Sequence, residues 1–250
     1  MAPRAEDDFL EIGAGAGQLT VPLAARGPRS VLAVEVDPIL AERLGRALAG
    51  AEPSAEVVTV LHADFLALDV AEVLKARDLG RMRVVGNLPY SVASPILLRL
   101  LAHRSRIQDM TLLFQREVAQ RLRARPGTKA YGALTVLAQQ ATRIRSLFRI
   151  SPEAFWPRPK VASELLRFEP RGADELPVGG DRLFRALVKG LFSHRRKNIS
   201  NNLKYLKSTD VSREELEEGL RALDIDPAWR AETLTVQQFA ALSHFCASRR

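Results

Sequence analysis

Four strand-end positions in this chain carry side chains that could do chemistry on a nucleotide. The most distinctive is Asn87-Leu88-Pro89-Tyr90, which follows the apolar residues Met82, Val84 and Val85 and a break at Gly86. Pro89 fixes its own φ and biases Leu88 towards an extended backbone. The Asn87 amide, the Leu88 backbone and the Tyr90 ring are then presented together at a strand's carboxyl end, where open α/β sheets bind ligands. An amide oxygen beside a backbone carbonyl can accept both hydrogens of an exocyclic amine, and an aromatic ring can stack on the base that carries it. Adenine suits that constellation. The plain alternative is an ordinary strand-to-loop turn, in which Asn and Pro are common.

The other three positions are acids. Glu11 stands before Gly13, Gly15 and Gly17 in FLEIGAGAGQLT, a short strand, a glycine turn and the start of a helix. The glycines permit positive φ and close approach of a ligand, but G-x-G-x-G does not complete the G-x-G-x-x-G dinucleotide pattern. A carboxylate there is awkward for a pyrophosphate and can hold an ammonium group directly or through water. A zwitterionic, adenosine-bearing ligand is therefore favoured over NAD. Glu35 ends a second apolar strand 22 residues after Gly13, near the offset of about 20 at which an acid grips ribose hydroxyls. Asp64 follows a third strand and could accept from an adenine amino group, with Phe65 packing near the ring. Either acid alone is more often a strand-end cap; three at successive strand ends point to a cofactor cleft.

These positions need an alternating scaffold, and the chain supplies it. Strands are predicted around Phe9, Val31 to Asp37, Val57 to Leu61, Met82 to Gly86 and Met110 to Phe114, with closing strands at Ile144 to Ile150 and Glu164 to Phe168. Helices are predicted from Pro38, over Pro95 to Ala102, after Phe114, and over Leu134 to Gln140. EPRGADELPVGG, residues 169–180, reads as a linker. Short helical patterns follow at Leu183 to Phe192, Asn198 to Leu206, Glu214 to Leu223 and Val236 to Ala247. The expected division is residues 1–170 as the α/β domain and 181–250 as a small helical, RNA-contacting domain.

Composition narrows the chemistry. Of 250 residues 46% are apolar, enough for a proper core. Cys246 is the only cysteine and the four histidines are scattered, so neither a disulfide framework nor a metal site is expected. No apolar run reaches membrane-spanning length, and a soluble protein of a reducing cytoplasm, without a membrane partner, is the expectation. The net charge of +8 is unevenly placed: residues 1–98 carry −4, residues 99–149 carry +9, and residues 182–209 hold eight bases and no acid. Two basic blocks suggest a polyanion-binding surface, with solvated helix faces as the alternative. His194-Arg195-Arg196-Lys197, followed by Asn198, Asn201, Asn202 and Lys204, suits RNA phosphates.

In this order the features resemble the S-adenosylmethionine-dependent ribosomal RNA adenine dimethylases, particularly the branch that modifies small-subunit RNA. The resemblance rests on E-x-G-x-G-x-G, N-L-P-Y, FQREVAQRL from Phe114, KAYGAL from Lys129, FWPRPKV from Phe155 and RRKNI from Arg195. It implies a Rossmann-like methyltransferase sheet with a small carboxyl-terminal helical domain, acting on adenine N6 in small-subunit ribosomal RNA during subunit maturation. The implied cofactor, S-adenosylmethionine, would meet Glu11, Gly13, Gly15, Gly17, Glu35, Asp64, Phe65 and Asn87. Catalysis would fall to Asn87, Leu88, Pro89 and Tyr90, with Phe155 on the other face of the adenine. RNA would meet Arg116, Arg121, Arg123, Lys160, Arg195, Arg196 and Lys197. A monomer working on ribosomal RNA or a small-subunit precursor is expected. The family normally adds a segment before the first strand, with a Gly-Gln-(Asn/His)-Phe motif covering the cofactor. Met1 to Asp8 has nothing like it, so weak cofactor retention is expected of this chain. The alternatives are a large-subunit dimethylase of the macrolide-resistance type and a non-catalytic RNA-binding or assembly factor on the same fold. A DNA adenine methylase fits less well, because its motif normally has two prolines.

Overall fold

Asp8–Ile12 (β1), Ser30–Glu35 (β2), Val58–His62 (β3), Met82–Gly86 (β4), Ile107–Gln115 (β5), Thr142–Ile150 (β6) and Ser163–Pro170 (β7) form one sheet. Their order is β3-β2-β1-β4-β5-β7-β6 in the computed structural model, which describes residues 2–49, 54–76, 81–172, 174–178, 180–206 and 211–249. β1 pairs in parallel with both β2 and β4, and β3 and β5 extend the parallel set outwards. β7 runs antiparallel to β5. Every residue of β1 and β4 is buried, as expected of central parallel strands covered by helices on both faces. The chain steps outwards from β1 to β3, then returns to place β4 on the other side of β1. That reversal is the topological switch point, and the crevice beyond the carboxyl ends of β1 and β4 is the natural ligand site of such a sheet.

The opposite ends of these strands are locked by charge. Arg83 in β4 faces Asp109 in β5 and is buried with it. Its guanidinium donates to both Asp109 oxygens at 3.1 and 3.0 Å and to Asp7 Oδ2 at 2.8 Å. Arg167 of β7 also reaches Asp109 Oδ2 at 2.8 Å. Each buried charge is thereby paired, the condition under which burial is tolerated. The Arg83 guanidinium also lies over the Phe9 ring, 5.4 Å from its centroid.

Two compact units emerge: Met1–Ala119 with Ile144–Pro170, and Gln120–Arg143 with Arg171–Arg250. The division expected at residue 170 places residues 120–143 with the sheet; they cluster instead with the carboxyl-terminal helices. Burial explains this. The helix Ala133–Ala141 buries Thr135, Val136, Leu137, Ala138, Gln140 and Ala141, far more than one apolar stripe, and packs on the helices Asp181–Leu191 and Val236–Ser248. Tyr131 is fully buried with its ring 6.2 Å from Phe192, which stacks on Phe239 at 5.6 Å. The helix predicted from Asn198 to Leu206 divides into Ile199–Asn202 and a 3-10 turn, Leu203–Tyr205. Among the described residues no helix is long and apolar enough to cross a membrane.

Candidate active site

β1 ends at Ile12, and the chain turns through Gly13, Gly15 and Gly17 with φ of 73°, 57° and 92°. Side-chain-bearing L-residues rarely adopt these values, so glycine is required at the turn. The turn is bonded to β2, because the Gly13 N–H donates to the Val34 carbonyl at 2.9 Å. Glu35, at the end of β2, is fixed just as firmly. Its Oε2 accepts from the Gly15 N–H at 2.7 Å, and its Oε1 from the Val36 and Asp37 N–H groups at 2.9 Å each. A carboxylate offers about four acceptor sites, so one remains for a ligand hydroxyl. Asp64 caps its own turn by accepting from the Leu66 N–H at 2.8 Å, and Phe65 is buried behind it.

Between these strand ends lies a cavity of about 340 Å³, lined by Gly13, Glu35, Asp64, Phe65 and Pro89 among others. The sequence-predicted cofactor residues Glu11, Gly15, Gly17 and Asn87 are not on its wall. Gly15 orients Glu35, whereas Gly17 lets the loop meet the helix Pro38–Ala49: a Cβ there would stand 2.6 Å from Leu44 Cδ1. Glu11 is 2% exposed and its Oε2 has no hydrogen-bond partner. Burial pushes its pKa up to about 7; the nearby Thr20 hydroxyl opposes the rise and the Glu35 charge adds to it. The Thr20 hydroxyl does not complete a hydrogen bond of good geometry. A buried acid with an unpaired oxygen and an acidic neighbour is stabilised by an added cation. The cavity wall therefore fits an adenosine, with a positioned acid for ribose and a capped acid beside an aromatic for the base, while Glu11, buried off the wall, can act on a cation there only through its charge.

β4 supplies the second half of the site. Gly86 is needed for a close approach, because a Cβ there would lie 2.9 Å from both the Ile12 carbonyl oxygen and Leu88 Cδ2. The Leu88 side chain is buried and anchors the turn, while Asn87 and Pro89 remain exposed. Tyr90 is half-buried, with its hydroxyl 2.7 Å from Ser163 Oγ on β7. Phe155 follows a 3-10 turn, Pro152–Ala154. Asn87, Leu88, Pro89, Tyr90, Phe155 and Trp156 share the wall of a second cavity, of about 200 Å³. Pro89 lines both cavities, and a Cβ on Gly13 would lie 3.6 Å from the Asn87 carbonyl oxygen. The glycine turn and the N-L-P-Y turn thus meet at the switch point, within the first unit.

The basic residues fall into two groups. Arg116 and Lys160 are exposed on the first unit, and Arg116 donates its backbone N–H to the Ala162 carbonyl at 2.9 Å. Arg121, Arg123, Arg195, Arg196 and Lys197 belong to the second unit. Arg195 has a structural task there: it pairs with Glu232 at 2.7 Å and donates to the Lys129 carbonyl at 2.6 Å. Arg121 and Arg123 also have partners of their own, whereas Arg196 and Lys197 are exposed. Ser163 and Trp156 are site residues that sequence reasoning missed.

Comparison with known proteins identifies the family and the fold. The family described as ribosomal RNA adenine dimethylase matches residues 1–248. Ribosomal RNA small subunit methyltransferase A of Geobacter metallireducens is 40% identical over 96% of this chain and 85% of its own length. The protein of the same name from Alkaliphilus oremlandii is 37% identical over 97% and 83%. Among solved structures, a dimethyladenosine transferase from Plasmodium falciparum shares the fold with a TM-score of 0.79 at 21% identity, covering 96% of this chain and 90% of that one. The 23S rRNA methyltransferase ErmE gives 0.67 at 25% identity, covering 98% and 92%.

Proposed function

This chain belongs to the ribosomal RNA adenine dimethylase family, and we propose that it transfers two methyl groups from S-adenosylmethionine to adenine N6 in small-subunit ribosomal RNA. The observation that carries the site assignment is the shared wall at Pro89. A cavity walled by Gly13, Glu35, Asp64 and Phe65, fitted to an adenosine, and a cavity walled by Asn87, Tyr90 and Phe155 share one residue. Relatives at 37–40% identity carry the small-subunit name, and this favours that RNA over the large-subunit one.

The cofactor supplies a methyl group on a sulfonium, an activated leaving group. Glu35 would hold its ribose and Asp64 its adenine amine, with Phe65 and Gly13 on the same wall, and Glu11, buried off that wall, would attract its ammonium end through charge. The target adenine enters between Tyr90 and Phe155. Its amine is a poor nucleophile because the nitrogen lone pair is delocalised into the ring. The Asn87 side-chain oxygen and the Leu88 carbonyl accept its two N–H bonds, which favours a pyramidal nitrogen with its lone pair directed along the transfer line. Pro89 keeps those two acceptors in register. Alignment and preorganised acceptors supply most of the acceleration, and the proton leaves to water afterwards. The base must be unstacked to enter, so a loop or single-stranded target is used. The exposed bases Arg116, Lys160, Arg196 and Lys197 hold the RNA backbone, and the protein acts as a monomer on a small-subunit precursor.

The test is label transfer from methyl-labelled S-adenosylmethionine to small-subunit particles, naked small-subunit RNA and large-subunit RNA, with the modified nucleoside identified. Label in N6,N6-dimethyladenosine of small-subunit RNA is the expected result. Label confined to large-subunit RNA would reassign the substrate, and binding without label would make the chain an assembly factor.

A further inference from the structure

Trp156 is 97% exposed, yet it stands on the wall of the second cavity beside Phe155, Tyr90 and Pro159. Isolated exposed hydrophobics are ordinary on protein surfaces. This one differs in its place, since the largest π surface of the loop faces water at the rim of the pocket assigned to a flipped base. The loop that carries it is held on both sides: the Phe155 N–H donates to the Pro152 carbonyl at 3.3 Å, and Arg158 pairs with Glu153. Lys160, four residues on, is exposed and has no ion-pair partner among the described residues. An accessible indole face, with an exposed cation four residues on, supplies the two contacts, stacking and phosphate pairing, by which proteins hold single-stranded nucleic acid.

We infer that Trp156 is a stacking platform for the base adjacent to the target adenine. The inference rests on the RNA-methylating function proposed above. Drawing one adenine into the Tyr90–Phe155 pocket removes it from the stack, and its neighbour loses a stacking partner at that moment. Trp156 replaces that partner at the rim, while Lys160 meets the intervening phosphate. Tyr90 and Phe155 thus select the base to be modified, and Trp156 holds the strand in the conformation that presents it.

The chain has two tryptophans, Trp156 and Trp229, so Trp229→Phe leaves Trp156 as the only indole reporter. The probe is a short single-stranded RNA with one central adenine, compared with versions abasic on its 5′ or its 3′ side. Trp156 fluorescence should be quenched by the intact RNA and unchanged by one of the abasic versions. Trp156→Ala should weaken binding of the intact RNA roughly tenfold, the scale of a single base–aromatic stack. It should have no effect on that abasic RNA, and Trp156→Phe should retain most of the affinity. Absence of quenching, or an equal loss in Trp156→Ala on intact and abasic RNA, would overturn the inference. Methyl transfer by the unmodified chain is measured in parallel. Transfer without quenching removes the stacking role and keeps the function, whereas quenching without transfer supports stacking and breaks the proposed function.

Discussion

The hydroxyls of Tyr90 and Ser163 lie 2.7 Å apart, joining the turn after β4 to the start of β7 across the intervening strand β5. Ser163 is fully buried and pairs in register with Gln115 at the end of β5. A buried strand residue therefore sets the orientation of the Tyr90 ring, which is proposed to stack on the target base.

Removing either hydroxyl should loosen the same ring. Ser163→Ala and Tyr90→Phe should each lower kcat/KM by about fivefold, the value of a hydrogen bond worth about 1 kcal/mol. The double variant should be no worse than either single one. Single-turnover kinetics on all three variants checks this. Additive losses would mean that Ser163 acts on something other than Tyr90.

The strand ends bearing Glu11, Glu35, Asp64 and Asn87 are legible in the sequence because each follows a short apolar run and parallel strands are buried on both faces. What stays hidden depends on partners distant in the chain. Arg83 interrupts an otherwise apolar strand, and only its pairing with Asp7 and Asp109 accounts for it. Ser163 belongs to the site solely through Tyr90, 73 residues earlier. The helix Val70–Ala76 is not evident from the sequence pattern. Gln120–Arg143 goes with the sheet by its position in the chain, whereas Tyr131 and the helix after it bury themselves among the later helices. Arg195 reads as one of three equivalent bases, and only the structure separates it by its pairing with Glu232.

Glu11 makes stability depend on pH in a direction opposite to that of most acids. Its folded pKa is raised from 4.5 to about 7, so between those values the folded chain holds a proton that the unfolded chain lacks. Stability contributed by this group is fully present below about 4.5, falls as pH rises to about 7, and is flat above. Glu11→Gln should abolish that slope and stabilise the cofactor-free protein at pH 8 by about 3 kcal/mol. It should also weaken S-adenosylmethionine binding, because the neutral amide no longer attracts the ammonium. Thermal melts at pH 5 and 8, with calorimetry of cofactor binding, test both statements. An equal change in melting temperature at the two pH values would contradict the assigned protonation.

The basic run should divide by residue. Arg196→Ala with Lys197→Ala should weaken RNA binding and reduce the log–log salt slope by roughly 0.7–0.9 for each phosphate left without its cation, without altering the melting temperature. Arg195→Ala should lower the melting temperature, since it leaves Glu232 without its partner. Salt titrations of RNA binding beside thermal melts separate the two effects. An unchanged salt slope in the double variant would assign Arg196 and Lys197 to a solvated surface.

Asn87 is the proposed acceptor that prepares the amine for transfer. The decisive measurement is the single-turnover rate of methyl transfer by Asn87→Ala, taken with its affinity for S-adenosylmethionine. Loss of one preorganised polar group should cost about 3 kcal/mol, or roughly a hundredfold in rate, while cofactor affinity changes little. A near-normal rate in Asn87→Ala would show that Asn87 does not prepare the amine.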